Sequence, residues 1–299
     1  NLKKVMWKQI YVNGSSFTDG YGLDIPEYLE YLNKYNSNYP QHTENKETLT
    51  KFRQQNCWPG VLESLINIPV INEAIFGGSF SRVKRKLFRF LNENPSAKDT
   101  LYILEVPNAT RMDVYNWKRK EWRKINTGEA NDDSHTDWQD LENNARKGWY
   151  VTFGSPSSFY YDDYQNLFWV TSTLKSMGLD YLIIATEQIC FFNEETEFPD
   201  GEQIFKTLNK SNKEINFVNF ETDNNYNFGN ATEPQSIIDV HHNSKSYTNN
   251  LLVYFSDFLD CTFKSETDGK VEDGHPSLEG HRKIGQQIYE NIKKRYLKI

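Results

Sequence analysis

The 299-residue sequence has no run of apolar residues long enough to cross a membrane, so it predicts no transmembrane helix. It contains three cysteines, Cys57, Cys190 and Cys261, an odd number that lacks the spacing of a metal site or of a disulfide framework. Their sequence neighbours do not favour a reactive thiolate. Positive charge is also in deficit, because the formal net charge is −7. This balance argues against nucleic acid as the main partner.

Hydrophobic residues make up 37% of the chain and aromatic residues 15%, which predicts a core and clefts rich in Phe, Tyr and Trp. The one dense basic run, RVKRKLFR at 82–89, has the spacing of an amphipathic helix. We expect Lys84, Arg85 and Arg89 to lie on its solvent-facing side. The chain begins at Asn1 rather than Met, as a processed or trimmed N-terminus would, so neither compartment nor oligomeric state is predicted.

Strand-like and helix-like segments alternate along the chain, which predicts a largely parallel sheet covered by helices on both faces. The pattern predicts one domain, 1–299, whose rhythm is interrupted at about 111–150 by an inserted hairpin and loop. Predicted strands fall within 5–12, 68–72, 101–106, 181–186 and 215–220. Predicted helices fall at 25–32, 59–66, around the basic run, and at 164–174, 247–258 and 277–298.

A small-residue turn, Gly14-Ser15-Ser16-Phe17-Thr18-Asp19-Gly20, follows the first strand. A hydroxyl on such a turn is how many α/β enzymes present a nucleophile at the edge of the sheet. Serine needs a base to become nucleophilic, and the base needs a carboxylate to orient it. The loop Glu272-Asp273-Gly274-His275-Pro276 offers both groups just before the last helix, for which Ser277 is the expected cap. His281 is expected on a polar face of that helix.

Three blocks in this order resemble the SGNH (GDSL) hydrolases. The turn at 14–20 resembles the family's G-D-S-x-T-x-G block, and 70–79 resembles its strand followed by a small-residue loop. The segment 272–276 resembles its terminal D-x-x-H-P block. The resemblance implies a three-layer α/β/α sandwich, flavodoxin-like, with a mainly parallel five-stranded sheet.

The resemblance also implies roles for individual residues. Ser16 matches the nucleophile and His275 the base. The backbone N–H groups of Ser16 and Gly77 match two oxyanion donors, and Asn108, after the third strand, is the candidate for a third. No metal and no organic cofactor are implied.

Three positions depart from the family pattern. The spacing of Asn108 after the third strand differs from the family's, and a turn role after Pro107 is an equal alternative for it. Ser15 stands where the family has an Asp that supports the turn. The family's acid lies three residues before the histidine, where this chain has Glu272, with Asp273 two residues before it. A turned segment would place Glu272 beside His275 and an extended one would place Asp273 there, so both remain candidates, with Asp273 favoured by residue type.

These residues predict a serine esterase that hydrolyses a small acyl ester through an acyl-enzyme. The habit of the family favours an O-acetyl group, with a carbohydrate as its carrier, and Phe17, Tyr21 and Trp117 are candidates to line the site. Two alternatives remain open. The same triad can transfer the acyl group to a sugar hydroxyl, or the scaffold can serve as a non-catalytic binding or structural protein.

Overall fold

A computed structural model describes residues 7–23, 46–107, 111–117, 120–126, 156–185, 215–216, 218, 262–265, 269–272 and 275–297. Its strands are β1 Gln9–Asn13, β2 Val70–Asn72, β3 Thr100–Val106, β4 Arg111–Asn116, β5 Glu121–Asn126, β6 Tyr181–Ala185, β7 Thr262–Ser265 and β8 Gly269–Glu272. Its helices are α1 Ser16–Asp19, α2 Lys46–Asn56, α3 Trp58–Ile66, α4 Phe80–Glu93, α5 Pro156–Ser176 and α6 Leu278–Ile292. The helices predicted at 25–32 and 247–258 lie outside the described residues.

The central sheet runs β2-β1-β3-β6, and each neighbouring pair is parallel. All residues of β3 and β6 are buried, as expected for parallel strands covered on both faces. The order matches the first four positions of a flavodoxin-like sheet. Beyond β6, the Ile183 N–H donates to Asn216 O at 2.8 Å and the Val218 N–H donates to Ile183 O at 2.9 Å. No fifth strand is assigned in the described part of this sheet, so that strand stays a prediction.

Helices cover both faces of the sheet, which confirms the predicted α/β sandwich. On one face α4 and α5 pack against β1, β3 and β6, with Val83, Leu87 and Val170 fully buried. On the other face α3 and α6 pack against the opposite sides of the same strands, with Trp58 and Ile288 fully buried. The close approach of α3 and α6 depends on Gly285, where a Cβ would lie 2.7 Å from Val61 Cγ1.

The first arginine of the basic run is buried, unlike the three residues expected on the solvent-facing side of the helix. Lys84, Arg85 and Arg89 are partly or fully exposed, but Arg82 is only 7% exposed. Its Nη1 donates to Asn13 Oδ1 at 3.1 Å and to Glu73 O at 2.9 Å. These bonds join the start of α4 to the ends of β1 and β2. Burial lowers the pKa of the Arg82 guanidinium.

The predicted excursion after β3 contains an antiparallel hairpin, β4–β5. It is joined to α4 by Asp113, whose carboxylate accepts from Arg85 Nη2 at 2.5 Å and from Ser79 Oγ at 3.2 Å. The Arg85 guanidinium also lies 4.2 Å from the ring centroid of Trp122. These contacts hold the hairpin next to the small-residue loop that follows β2.

Candidate active site

The turn after β1 buries the predicted nucleophile at the start of a helix. Ser15 is the N-cap of α1 and Ser16 is its first residue, and both are fully buried. The Ser15 carbonyl accepts from the N–H groups of Thr18 and Asp19 at 3.1 and 2.9 Å, and Gly20 ends the helix at φ 78°. The Ser16 hydroxyl makes no hydrogen bond to any residue that the structure describes. An unpaired buried hydroxyl is costly, which is typical of a functional group awaiting its ligand.

A carboxylate from β3 meets this turn. Glu105 is fully buried, and its Oε2 accepts from the Ser15 N–H at 2.9 Å and from Thr18 Oγ1 at 2.5 Å. The Ser15 hydroxyl donates to Glu105 Oε1. Gly14 makes room for this side chain, because a Cβ there would lie 2.3 Å from Glu105 Oε2. Sequence reasoning missed Glu105, since it lies 90 residues from Ser15 along the chain.

A second polar network supports the strand end before the turn. Asn13 Oδ1 accepts from the Gly14 N–H at 2.9 Å as well as from Arg82. Asn13 Nδ2 donates to the Tyr11 hydroxyl at 2.8 Å, and that hydroxyl donates to Glu73 Oε2 at 2.9 Å. Every polar group named here is paired, so the network adds rigidity without leaving an unsatisfied group in the core.

The loop after β2 places Gly77 beside the turn. Gly77 is buried and has φ 67°, a conformation that glycine adopts without steric cost. A Cβ on Gly78 would lie 2.6 Å from Gly14 O, so the backbones of the two loops are in direct contact. Ser79 then caps α4 by accepting from the Arg82 N–H at 3.2 Å. Gly77 is adjacent to the contact between the two loops, and its role as an oxyanion donor stays a prediction.

His275 lies against the same turn. Its imidazole is 9% exposed, and its ring centroid is 5.3 Å from that of Phe17 and 5.1 Å from that of Tyr21. Phe76, next to Gly77, lies 6.3 Å from the imidazole and stacks on Tyr21 at 4.2 Å. The structure thus brings together the neighbourhoods of Ser16, Gly77 and His275, which lie far apart in sequence.

His281, expected on a polar face, is instead fully buried. Its Nδ1 accepts from the Trp58 N–H at 3.2 Å, which caps the start of α3, where the Cys57 side chain provides no cap. Burial, followed by the charge of His275, lowers the pKa of His281 from 6.5 to about 3. A neutral imidazole with this pKa is a structural acceptor and a poor general base at neutral pH.

The buried His281 predicts a loss of stability in acid. Its folded pKa of about 3 lies below the ordinary 6.5, so the unfolded chain takes up a proton first as the pH falls. The contribution is complete above pH 6.5 and shrinks by about 1.4 kcal/mol per pH unit below it, or about 2 kcal/mol by pH 5. Urea unfolding at pH 7.5 and 5.0 measures this difference, which we expect to be smaller by that amount in His281→Leu. An equal acid sensitivity in both proteins would contradict the assignment.

The other predicted residues have different outcomes. Glu272 is the last residue of β8, while Asp273 and Asn108 lie outside the described residues, so the acid and the third oxyanion donor stay predictions. Cys57 is buried, which raises the pKa of its thiol to about 11 and keeps it protonated. Among the described residues, no cluster of three or more His, Cys, Asp or Glu could hold a metal ion. Within that same part of the chain, no helix is long and apolar enough to cross a membrane.

Comparison with known proteins gives matches among solved structures only. No family model and no curated protein matches the chain. A lipolytic protein of the G-D-S-L family from Desulfitobacterium hafniense is 14% identical over 95% of this chain and 99% of its own, at a TM-score of 0.38. The psychrotrophic esterase EstA from Pseudoalteromonas is 12% identical over 98% and 100%, at 0.40.

A catalytic mutant of an acetylxylan esterase from Geobacillus stearothermophilus is 10% identical over 95% of this chain and 94% of its own, at a TM-score of 0.38. These three matches are to GDSL (SGNH) proteins and esterases. This is the family that the three sequence blocks resemble.

Proposed function

We propose that this protein is a serine esterase that uses Ser16 as its nucleophile and His275 as its base. One observation carries the proposal. The buried Ser16 hydroxyl has no hydrogen-bond partner in the described structure. Ser16 is the first residue of α1, and the rings of Phe17 within α1 and of Tyr21 just after it contact His275. A buried hydroxyl without a partner, on a turn whose aromatic rings contact an imidazole, supports a proton transfer from Ser16 to His275 when a substrate enters.

In the proposed reaction, His275 accepts the Ser16 proton as Oγ attacks the acyl carbonyl carbon. The N–H groups of Ser16 and Gly77, with the Asn108 amide as a further candidate, hold the negative charge that develops on the carbonyl oxygen. His275 returns its proton to the leaving alcohol, and water then attacks the acyl-enzyme with the same imidazole as base. Asp273 or Glu272 orients the imidazole. The reaction needs no cofactor.

Aromatic rings support a small acyl group and a carbohydrate carrier. The ring centroids of Phe17, Tyr21 and Phe76 lie 5.1–6.3 Å from that of His275, so the proposed base is next to three aromatic rings. The β4–β5 hairpin adds exposed rings, with Trp117 82% and Trp122 48% exposed, and its Asp113 contacts Ser79, two residues after Gly77. Exposed aromatic faces of this kind are suited to the apolar faces of sugars. We therefore propose an O-acetylated carbohydrate as the substrate class.

Labelling and turnover test this proposal together. We expect a fluorophosphonate probe to modify one residue, Ser16, as shown by mass spectrometry of the labelled peptide. Aryl acetate should be hydrolysed faster than aryl octanoate if the acyl group of the substrate is small, as proposed. A wild-type protein that neither labels nor turns over any acyl ester would favour a non-catalytic binding protein. Labelling at another serine would refute the assignment of the nucleophile.

A further inference from the structure

We propose that Glu105 is the positioning residue of the nucleophile turn, supplying from strand β3 the carboxylate that the turn itself lacks. The proposal rests on the function proposed above, in which Ser16 is the nucleophile. It assigns no chemistry to Glu105, which acts only through the residues on either side of Ser16.

The sheet register places Glu105 at the turn. β1 and β3 pair in parallel, with Asn13 opposite Leu104, so the next residue of β3 stands opposite Gly14. The absence of a side chain at Gly14 lets the carboxylate reach past the end of β1 toward the start of α1. A Cβ at position 14 would also lie 2.6 Å from Glu105 Cβ, so larger residues would push the two strand ends apart.

Three donors to Glu105 in the described part of the chain lie on both sides of the nucleophile. Two come from Ser15, its backbone N–H and its hydroxyl, and one comes from the Thr18 hydroxyl. Ser15 directly precedes Ser16, and Thr18 is two residues after it. A buried carboxylate that accepts several charge-assisted hydrogen bonds is a strong and directional anchor. The carboxylate thus fixes both the entry and the first turn of α1.

The Ser15 hydroxyl shows that this anchor replaces ordinary helix capping. A serine at the N-cap position typically accepts from a backbone N–H of the first turn. Here the Ser15 side chain makes no such bond and donates to Glu105 instead. The start of α1 is therefore held by β3, and the Ser16 hydroxyl is left free of this network.

Two threonine variants separate positioning from general stability. Thr18→Val removes the hydroxyl that donates to Glu105. Thr171→Val is its matched control, because Thr171 is 3% exposed and its hydroxyl donates to Leu167 O at 2.8 Å within α5. We expect kcat for aryl acetate to fall about 10- to 100-fold in Thr18→Val and KM to stay unchanged. The reason is that a small displacement of a reacting group slows the reaction. Thr171→Val should keep the wild-type kcat.

Substitutions of Glu105 supply a second, graded test. A glutamine can still accept from Ser15 and Thr18 through its oxygen, while its amide donates to the Ser15 hydroxyl. Methionine has a similar volume and leaves all three donors without a strong acceptor. We expect kcat to decrease in the order wild type, Glu105→Gln, Glu105→Met, with the loss in the last about 100-fold or more.

The outcomes distinguish this proposal from the function on which it rests. If wild type is active and Thr18→Val is as active as Thr171→Val, the positioning role is refuted and the esterase assignment stands. If wild type is inactive, the proposed function fails, and hydrogen exchange of the 14–20 amides then decides about the anchor. Faster exchange there in Thr18→Val and Glu105→Met than in Thr171→Val would support the anchor. Unchanged exchange would overturn it.

Discussion

Replacing Ser16 with alanine is expected to lower kcat for an aryl acetate about 10⁴-fold or more, because a triad enzyme loses nearly all covalent catalysis with its nucleophile. The fold should persist. The Ser16 hydroxyl contributes no hydrogen bond to the described structure, so its removal leaves no partner unsatisfied. Initial-rate assays, with active-site titration of the wild type, measure the ratio of the two kcat values. Urea unfolding measures the free energy of unfolding of each protein.

Two serine controls accompany this variant. Ser15→Ala removes one bond to Glu105 but keeps the nucleophile, so labelling by fluorophosphonate should be slower yet still occur at Ser16. Ser64→Ala removes a hydroxyl that donates to Gly60 O on an exposed face of α3, and it should label at the wild-type rate. Full activity of Ser16→Ala would reject the nucleophile, whatever its effect on stability.

The two histidines near the start of α6 should respond in opposite ways. His275→Gln is expected to reduce kcat about 10⁴-fold or more, since the serine would lose its base, with little change in the free energy of unfolding. His281→Leu is expected to destabilise the fold by about 1–3 kcal/mol at pH 7.5, because the buried Trp58 N–H loses its acceptor. Its kcat per folded molecule should stay within a few-fold of wild type.

Measuring kcat and urea unfolding for both variants gives the comparison, and each variant is the control for the other. Loss of activity in a stable His281→Leu would move the base from His275 to His281. That outcome would also contradict the lowered pKa of His281, which makes the buried imidazole a weak proton acceptor at the pH of the assay.

The elements that could be predicted are those whose signal is local. The sequences of β3 and β6 are continuous apolar runs, and that of α4 has the period of an amphipathic helix. Gly178 follows α5 with φ 67°, a conformation typical of a helix end. The α2 helix was not predicted, because apolar residues do not recur along it at helical spacing. Of its described side chains, only Leu49 is buried. The β7–β8 hairpin was also missed, since each of its four-residue strands carries a single apolar residue, Phe263 or Val271.

The site shows the same limit. Ser16, Gly77 and His275 could be proposed because each sits in a short block that resembles a family motif. Glu105 and Arg82 could not, since a charged residue within a strand or a basic helix has no sequence signal for burial. Their partners come from distant segments, Ser15 for Glu105 and Asn13 for Arg82, and only the folded sheet brings those segments together.

The way α6 is attached affects the order in which activity and structure are lost. His275 precedes α6 by only three residues, and the helix is held by the contact of Gly285 with Val61 and by His281 on Trp58. Proteins open locally in cooperative units, and such a unit can separate while the rest of the sheet stays folded. Detachment of α6 would carry the proposed base away from Ser16, so heat or denaturant should inactivate the protein before the central sheet unfolds.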